Sequence, residues 1–140
     1  MREVPIGEAA RQSGVKVPTI RYYEQIGLLP APPRSGGNRR LYDGRDMRRL
    51  AFIRHARELG FEVDAIRTLL SLQDDPGQSC EAADAIASAR LAEVERRIAS
   101  LQALRAELLH MVEQCAHGRI AQCNVIETLA AEDHRHGRLD

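Results

Sequence analysis

"IGEAARQSGVKVPTIRYYEQIGLL", residues 6–29, is the stretch whose reading decides the fold. Ile6, Ala9 and Ala10 recur at the spacing of one helical face. Ser13-Gly14 is a turn signal, and Val15 is placed to fill the gap between two helices. Pro18 falls near the start of the second helix, where a missing N–H costs little. Ile20 and Tyr23 repeat at i, i+3 and are expected to face inward, which leaves Thr19, Arg21 and Tyr22 pointing outward. Two short helices around a tight turn suggest a helix-turn-helix, whose second helix enters a DNA major groove. Arg21 on that helix is suited to a phosphate or a guanine edge.

The next stretch, "LPAPPRSGGNRRLYD" (29–43), cannot be helix, because prolines and glycines break it throughout. Gly36-Gly37 fits a hairpin tip flanked by Arg34, Asn38, Arg39 and Arg40, and Leu41-Tyr42 is expected to return a strand to the core. A basic hairpin directly after a helix-turn-helix is a wing that tracks the phosphate backbone. In "DMRRLAFIRHARELG" (46–60), Asp46 is the expected N-cap, Leu50, Ile53 and Ala56 keep helical spacing, and Gly60 ends the helix. "VDAIRTLLSLQ" (63–73) reads as another amphipathic helix with Val63, Ile66, Leu69 and Leu70 inward. The loop at Gly60-Phe61 between them is a candidate second, smaller wing.

The zero net charge hides an asymmetry: 13 Lys/Arg against 8 Asp/Glu in residues 1–72, and 7 against 12 in residues 73–140. Eight arginines and only two aspartates fall in 34–57, so a polyanion is the natural partner of the front half. The 140 residues suffice for one modest domain and an extension. No apolar run approaches the roughly 20 residues that span a bilayer, and "MREVPIGEAA" lacks the apolar core of a signal peptide. A cytoplasmic protein with no membrane partner is expected. Cytoplasmic thiols stay reduced, so the three cysteines are expected to be ligands, nucleophiles or core filler rather than disulfide partners.

"TIRYYEQIGLLP", "RSGGNRRLY" and "LAFIRHARELGF", in this order and spacing, resemble the MerR family of transcription regulators, and the resemblance runs along essentially the whole chain. It implies a winged-helix DNA-binding domain, a long dimerisation helix and a C-terminal effector site. Arg21 and Tyr22 match the recognition-helix contacts, Arg34, Arg40 and Tyr42 the first wing, and Arg54 a phosphate contact after it. The other reading of Tyr22 and Tyr42 is as core aromatics; of the Tyr22-Tyr23 pair, Tyr23 is the core member because it shares a face with Ile20. Lys16 stands where the family often has a Ser or Thr cap.

In the back half, Pro76 and Gly77 break the chain and Ser79 is placed to cap the next helix. From Glu81 to about Gln114 there is neither Gly nor Pro, and Leu91, Val94, Ile98, Leu101, Leu108 and Val112 form a coiled-coil seam that Leu104 and Arg105 blur. One helix cannot bury its own stripe, so a second copy is the expected partner. Cys80 lies at the start of this helix and Cys115 at its end, about 52 Å apart at 1.5 Å per residue. They cannot share a metal within one chain. If two copies pair antiparallel, Cys80 of the partner subunit meets Cys115 and Cys123, giving two sites per dimer. The resemblance implies the same arrangement. The expected fold is therefore mainly α, with a winged helix-turn-helix domain (1–75), a linker and antiparallel dimerisation helix (76–114), and a metal-binding loop, short helix and tail (115–140).

Thiolates select soft or borderline metals. Two in a closed loop suit Cu(I), whereas the third, from Cys80, favours a divalent ion; the copper-sensing branch usually has Ser there. Zinc is the leading candidate, with His117 as a possible fourth ligand or else a solvated loop residue. Cadmium, lead or mercury suit three thiolates alone. Ala116 stands where some zinc sensors have a second adjacent Cys, which points to one metal per site. His134 and His136 read first as part of a polar terminus and second as aids to metal capture. The resemblance implies a homodimer on double-stranded promoter DNA that distorts the duplex when metal binds, so that RNA polymerase can use it, at a gene for efflux or detoxification. A Cu(I)-, redox- or drug-responsive regulator on the same scaffold is the alternative. A Cys115/His117 thiol enzyme has little support, since no third orienting residue accompanies the pair.

Overall fold

A computed structural model describes residues 2–30, 41–114, 118–120 and 123–131. Among them the order is β1 (Val4–Pro5), α1 (Ile6–Ser13), α2 (Val17–Gln25), β2 (Leu41–Tyr42), α3 (Gly44–Glu58), α4 (Val63–Gln73), α5 (Glu81–Glu113) and α6 (Asn124–Ala130). The fold is mainly α, as expected. The chain forms two compact units, Met1–Ile86 and Ala87–Asp140.

The first unit is built around the α1–α2 turn. Gly14 takes φ +76°, a left-handed conformation that glycine adopts without steric penalty, and its N–H donates to the Ala10 carbonyl (2.9 Å). The Ser13 hydroxyl accepts from the Val15 N–H (3.1 Å), and Val15 is buried beside Ala9, Ile20 and Tyr23. α2 starts at Val17 with Lys16 as its N-cap and no side-chain cap, so Pro18 in the first turn is what favours the start. Leu28 and Leu29 are buried where the chain leaves α2, and their N–H groups both donate to the Tyr23 carbonyl (2.9 and 3.2 Å).

β1 and β2 pair antiparallel, with Val4 opposite Tyr42 and Pro5 opposite Leu41. The expected returning strand is therefore present, tied to the N-terminal segment. The cap of α3 differs from the expectation. Asp43, not Asp46, is the N-cap: its carboxylate accepts from the Asp46 N–H (3.0 Å), and the Asp46 carboxylate accepts from the Asp43 N–H (3.0 Å). This reciprocal capping box uses both members of the Asp-x-x-Asp spacing. The Asp46 N–H holds the Asp43 carboxyl below its ordinary pKa, while burial pushes that of Asp46 up. α3 ends as expected: Gly60 has φ +86°, and the Phe61 N–H donates back to the Ala56 carbonyl (3.0 Å). Leu50, Ile53 and Ala56 from α3 and Ile66 and Leu70 from α4 complete the core.

The second unit contains most of α5 and all of α6. Ser79 caps as expected, its hydroxyl accepting from the Glu81 N–H (3.1 Å). α5 then runs unbroken for 33 residues. Met111 is the one buried residue on it, and Leu91, Ile98, Leu101, Leu108, Leu109 and Val112 are exposed.

Candidate nucleic-acid interface and metal-binding elements

Placing α2 on a packed core sorts its side chains by face. Ile20 is fully buried and Tyr23 is 7 % exposed, whereas Tyr22 is 49 % exposed and Arg21 is exposed beside it. Thr19 is half-buried. The outward set is the one expected of a helix that reads a groove: a cation with a rigid aromatic next to it, on an element whose inner face is locked. The two rings are tilted at 49° with centroids 6.1 Å apart, so Tyr23 packs against and orients Tyr22.

Two expected contacts look different in three dimensions. Tyr42 has 0 % exposure, and its hydroxyl donates to the Glu24 carboxylate on α2. The core reading of Tyr42 therefore holds, and the expectation of a direct surface contact is corrected. Alternation along a two-residue strand could not decide this, since either face of so short a strand can be the buried one. Arg54 on α3 is partly exposed and its Nη1 pairs with Glu58 at 3.0 Å, a contact that a phosphate would compete with. Arg34, Asn38 and Arg40 lie outside the described residues.

Arg49 shows what a one-dimensional reading of basic clusters misses. It belongs to the arginine-rich run, yet its Nε donates to the Leu28 carbonyl (2.8 Å) and its Nη1 reaches both carboxylate oxygens of Asp74 (3.3 Å). It ties the end of the helix-turn-helix to α3 and α4. Both partners are more than 20 residues away, and no local pattern marks them.

Of the expected metal ligands, Cys80 is exposed immediately before α5, and Cys123 is half-buried as the N-cap of α6. Both are free thiols. The Cys123 N–H donates to the Ile120 carbonyl and its carbonyl accepts from Glu127 N–H, each at 3.0 Å, which fixes the backbone. Its thiol makes no cap hydrogen bond and is left to other chemistry. Cys115, His117, His134 and His136 lie outside the described residues. Among the described residues of one chain, no three His, Cys, Asp or Glu side chains gather as a metal site. A continuous α5, about 50 Å long at 1.5 Å per residue, stands between Cys80 and the segment that carries Cys123. The short α6 leaves Ile126 and Leu129 exposed within one chain.

Comparison with known proteins agrees with the fold. Residues 4–73 match the MerR HTH family regulatory protein family, and residues 47–111 match the family described as MerR, DNA binding. The chain is 42% identical over 128 residues to the HTH-type transcriptional regulator ZntR of Escherichia coli (strain K12), covering 89% of this chain and 90% of that one. It is 41% identical over 125 residues to the HTH-type transcriptional regulator HmrR of Sinorhizobium medicae (strain WSM419), covering 89% and 85%. Among solved structures, the transcription regulator PbrR691 from Ralstonia metallidurans CH34 in complex with lead(II) aligns with a TM-score of 0.76 at 39% identity, over 93% of this chain and 99% of that one.

Proposed function

The chain belongs to the MerR family of helix-turn-helix transcription regulators, and from that premise we propose that it is a homodimeric sensor of a divalent thiophilic metal. It is a DNA-binding regulator and not an enzyme. Its relatives of known name include heavy-metal-dependent regulators, and one aligned structure holds lead(II). Zinc is the leading candidate here, with cadmium, lead and mercury as the other thiophilic ions.

The observation that carries the reading is α5. It exposes Leu91, Ile98, Leu101, Leu108 and Val112 along one unbroken helix, and in the sequence that whole helix lies between Cys80 and the other two cysteines. Antiparallel pairing with a second copy answers both features at once. The stripe is buried, and Cys80 of the partner subunit joins Cys115 and Cys123. The donor chemistry fits: the two described thiols are unbridged, one exposed and one half-buried on a fixed backbone. Thiolates from two subunits would hold the ion, with His117 as the candidate fourth ligand were it zinc. Closing that set favours one arrangement of the two DNA-binding modules. In that arrangement Arg21 and Tyr22 hold promoter DNA bent and underwound, and RNA polymerase engages elements that are otherwise misaligned. On this reading the protein works in the cytoplasm, on a promoter for metal efflux or detoxification.

Absorbance-monitored Co²⁺ titration of the reduced dimer tests the site. Intense tetrahedral bands with thiolate charge transfer, weakened by Cys80→Ser and erased by Zn²⁺, are expected. An absent thiolate band would overturn the divalent reading in favour of Cu(I), redox or organic effectors on the same frame.

A further inference from the structure

Cys80 lies in the same compact unit as α2, Met1–Ile86, whereas Cys123 lies in the other. A change at Cys80 therefore acts on the DNA-binding unit from within, through the segment that joins α4 to α5. The geometry points to Arg49 as the positioning residue that ties this segment to the exit of α2, so that a displacement at Cys80 is felt at the helix carrying Arg21 and Tyr22. The assignment rests on the proposed role of Cys80 as a metal ligand.

Core packing does not make this connection. Ile66 and Leu70 anchor α4, and Leu70 is its last buried residue. From Ser71 to Cys80 every residue is exposed except the half-buried Leu72. A segment with so little packing passes a displacement on through local backbone order and polar ties. The backbone order is present. The N–H of Asp74 donates to the Leu70 carbonyl (3.0 Å), that of Asp75 to Leu72 (3.1 Å) and that of Gln78 to Asp75 (3.1 Å). The Cys80 carbonyl in turn accepts from the Asp84 N–H (2.9 Å) in the first turn of α5. Asp74 thus opens a short, hydrogen-bonded stretch that ends at Cys80.

Arg49 supplies the polar tie. Its Nη1 lies 3.3 Å from both carboxylate oxygens of Asp74, and its Nε donates to the Leu28 carbonyl at 2.8 Å. The guanidinium is a rigid plane, so its two arms move together. Leu28 is buried where the chain leaves α2, its N–H donates to the Tyr23 carbonyl (2.9 Å), and the Tyr23 ring packs on Tyr22. A tilt of the fork at Asp74 therefore acts on the peptide that closes α2. The exit has little slack, because Nη1 of Arg67 on α4 stands 3.3 Å from the place a Cβ on Gly27 would take. The two arms differ in shielding. The Arg49 side chain is 21 % exposed and that of Asp74 61 %, so the Asp74 arm adds little to folding. Cutting that arm separates transmission from stability.

The test is a Cd²⁺ titration of the reduced, ¹⁵N-labelled full-length protein, followed by backbone amide shifts. In the wild type, Cd²⁺ should move the amides around Cys80 and also those of Leu28 and Leu29. In Asp74→Ala the response around Cys80 should remain, the response at Leu28 and Leu29 should be lost, and thermal unfolding should match the wild type. Asp75→Ala removes the same charge one residue further on without cutting the tie, and should keep both responses. A Leu28 and Leu29 response that survives Asp74→Ala, or that is absent from the wild type while the Cys80 amides move, would overturn the assignment. So would its loss in Asp75→Ala, which would make local charge the cause. Loss of both responses in Asp74→Ala would overturn it too, because Asp74 would then act on metal binding and not on its transmission. If Cd²⁺ moves no amide around Cys80 in the wild type, the metal reading itself fails, and this is visible before any variant is made.

Discussion

Leu50 and Leu101 are the same residue on helices of the same chain, and their surroundings are opposite. Leu50 has 0 % exposure and Leu101 has 55 %. Around Leu50 every helix finds a neighbour: α1, α2, α3 and α4 bury Ala9, Ile20, Tyr23, Ile53, Ile66 and Leu70 in one core. Around Leu101 the apolar side chains of α5 line an open groove with Leu104, Leu108, Leu109 and Val112. The first region is complete as one chain. The second is proposed to be half of an interface, and part of the proposed metal site lies with it. Folding and sensing are thus assigned to different stretches, and only the second requires another copy.

Variants break that contrast in order of size. Leu108→Asp would bury an unpaired carboxylate in the seam of each subunit, at a cost on the order of 3–5 kcal/mol per site. Sedimentation equilibrium should then show monomers, with thermal unfolding of the front module little changed; a persistent dimer would mean that another surface pairs. Ile53→Ala opens a cavity in the core of the front module and should lower its stability by about 2–5 kcal/mol in urea unfolding. Dimerisation by α5 should survive in the folded fraction. Asp43→Ala removes the cap of α3, worth about 1 kcal/mol, whereas Asp43→Asn should retain most of it. Equal losses from the two substitutions would show that the charge, not the cap, matters.

The smallest expected effect is electrostatic. On α1, hydrogen bonds from Arg11 and then Gln12 hold the Glu8 carboxyl down from its ordinary 4.5 to about 2. A depressed carboxylate pKa stabilises the fold above its unfolded value and loses that contribution as pH falls through the folded one. The wild type should therefore lose slightly more stability than Glu8→Gln between pH 4.5 and 2, as followed by acid titration of thermal stability. Both groups are at the surface, where screening keeps the difference small.

What the sequence made legible was whatever has a local cause. Gly14, Pro18 and the Ile20/Tyr23 spacing announce the helix-turn-helix, and the outward placement of Tyr22 follows from the same periodicity. Ser79 and the long absence of Gly and Pro announce α5. Features with distant causes were hidden. Asp43 and Asp46 are equally good caps on paper, and only the backbone shows that the first is the N-cap. Tyr42 reads as a wing residue until its partner Glu24, 18 residues earlier, draws it inward. Arg49 looks like its neighbours until Leu28 and Asp74 claim it. Cys80 and Cys123 are a further case, since the cause that unites them is proposed to lie in a second chain.

That last claim has a direct measurement. Cys80→Ser and Cys123→Ser chains are each expected to lack a complete thiolate set. Co-expressed in equal amounts, they form mixed dimers in which one site combines Cys80 of one subunit with Cys115 and Cys123 of the other. With random pairing, half the dimers carry one intact site of two, so about a quarter of the wild-type thiolate–Co²⁺ absorbance should return. No recovery above the two separate variants, with mixed dimers demonstrably present, would contradict a metal site shared between subunits.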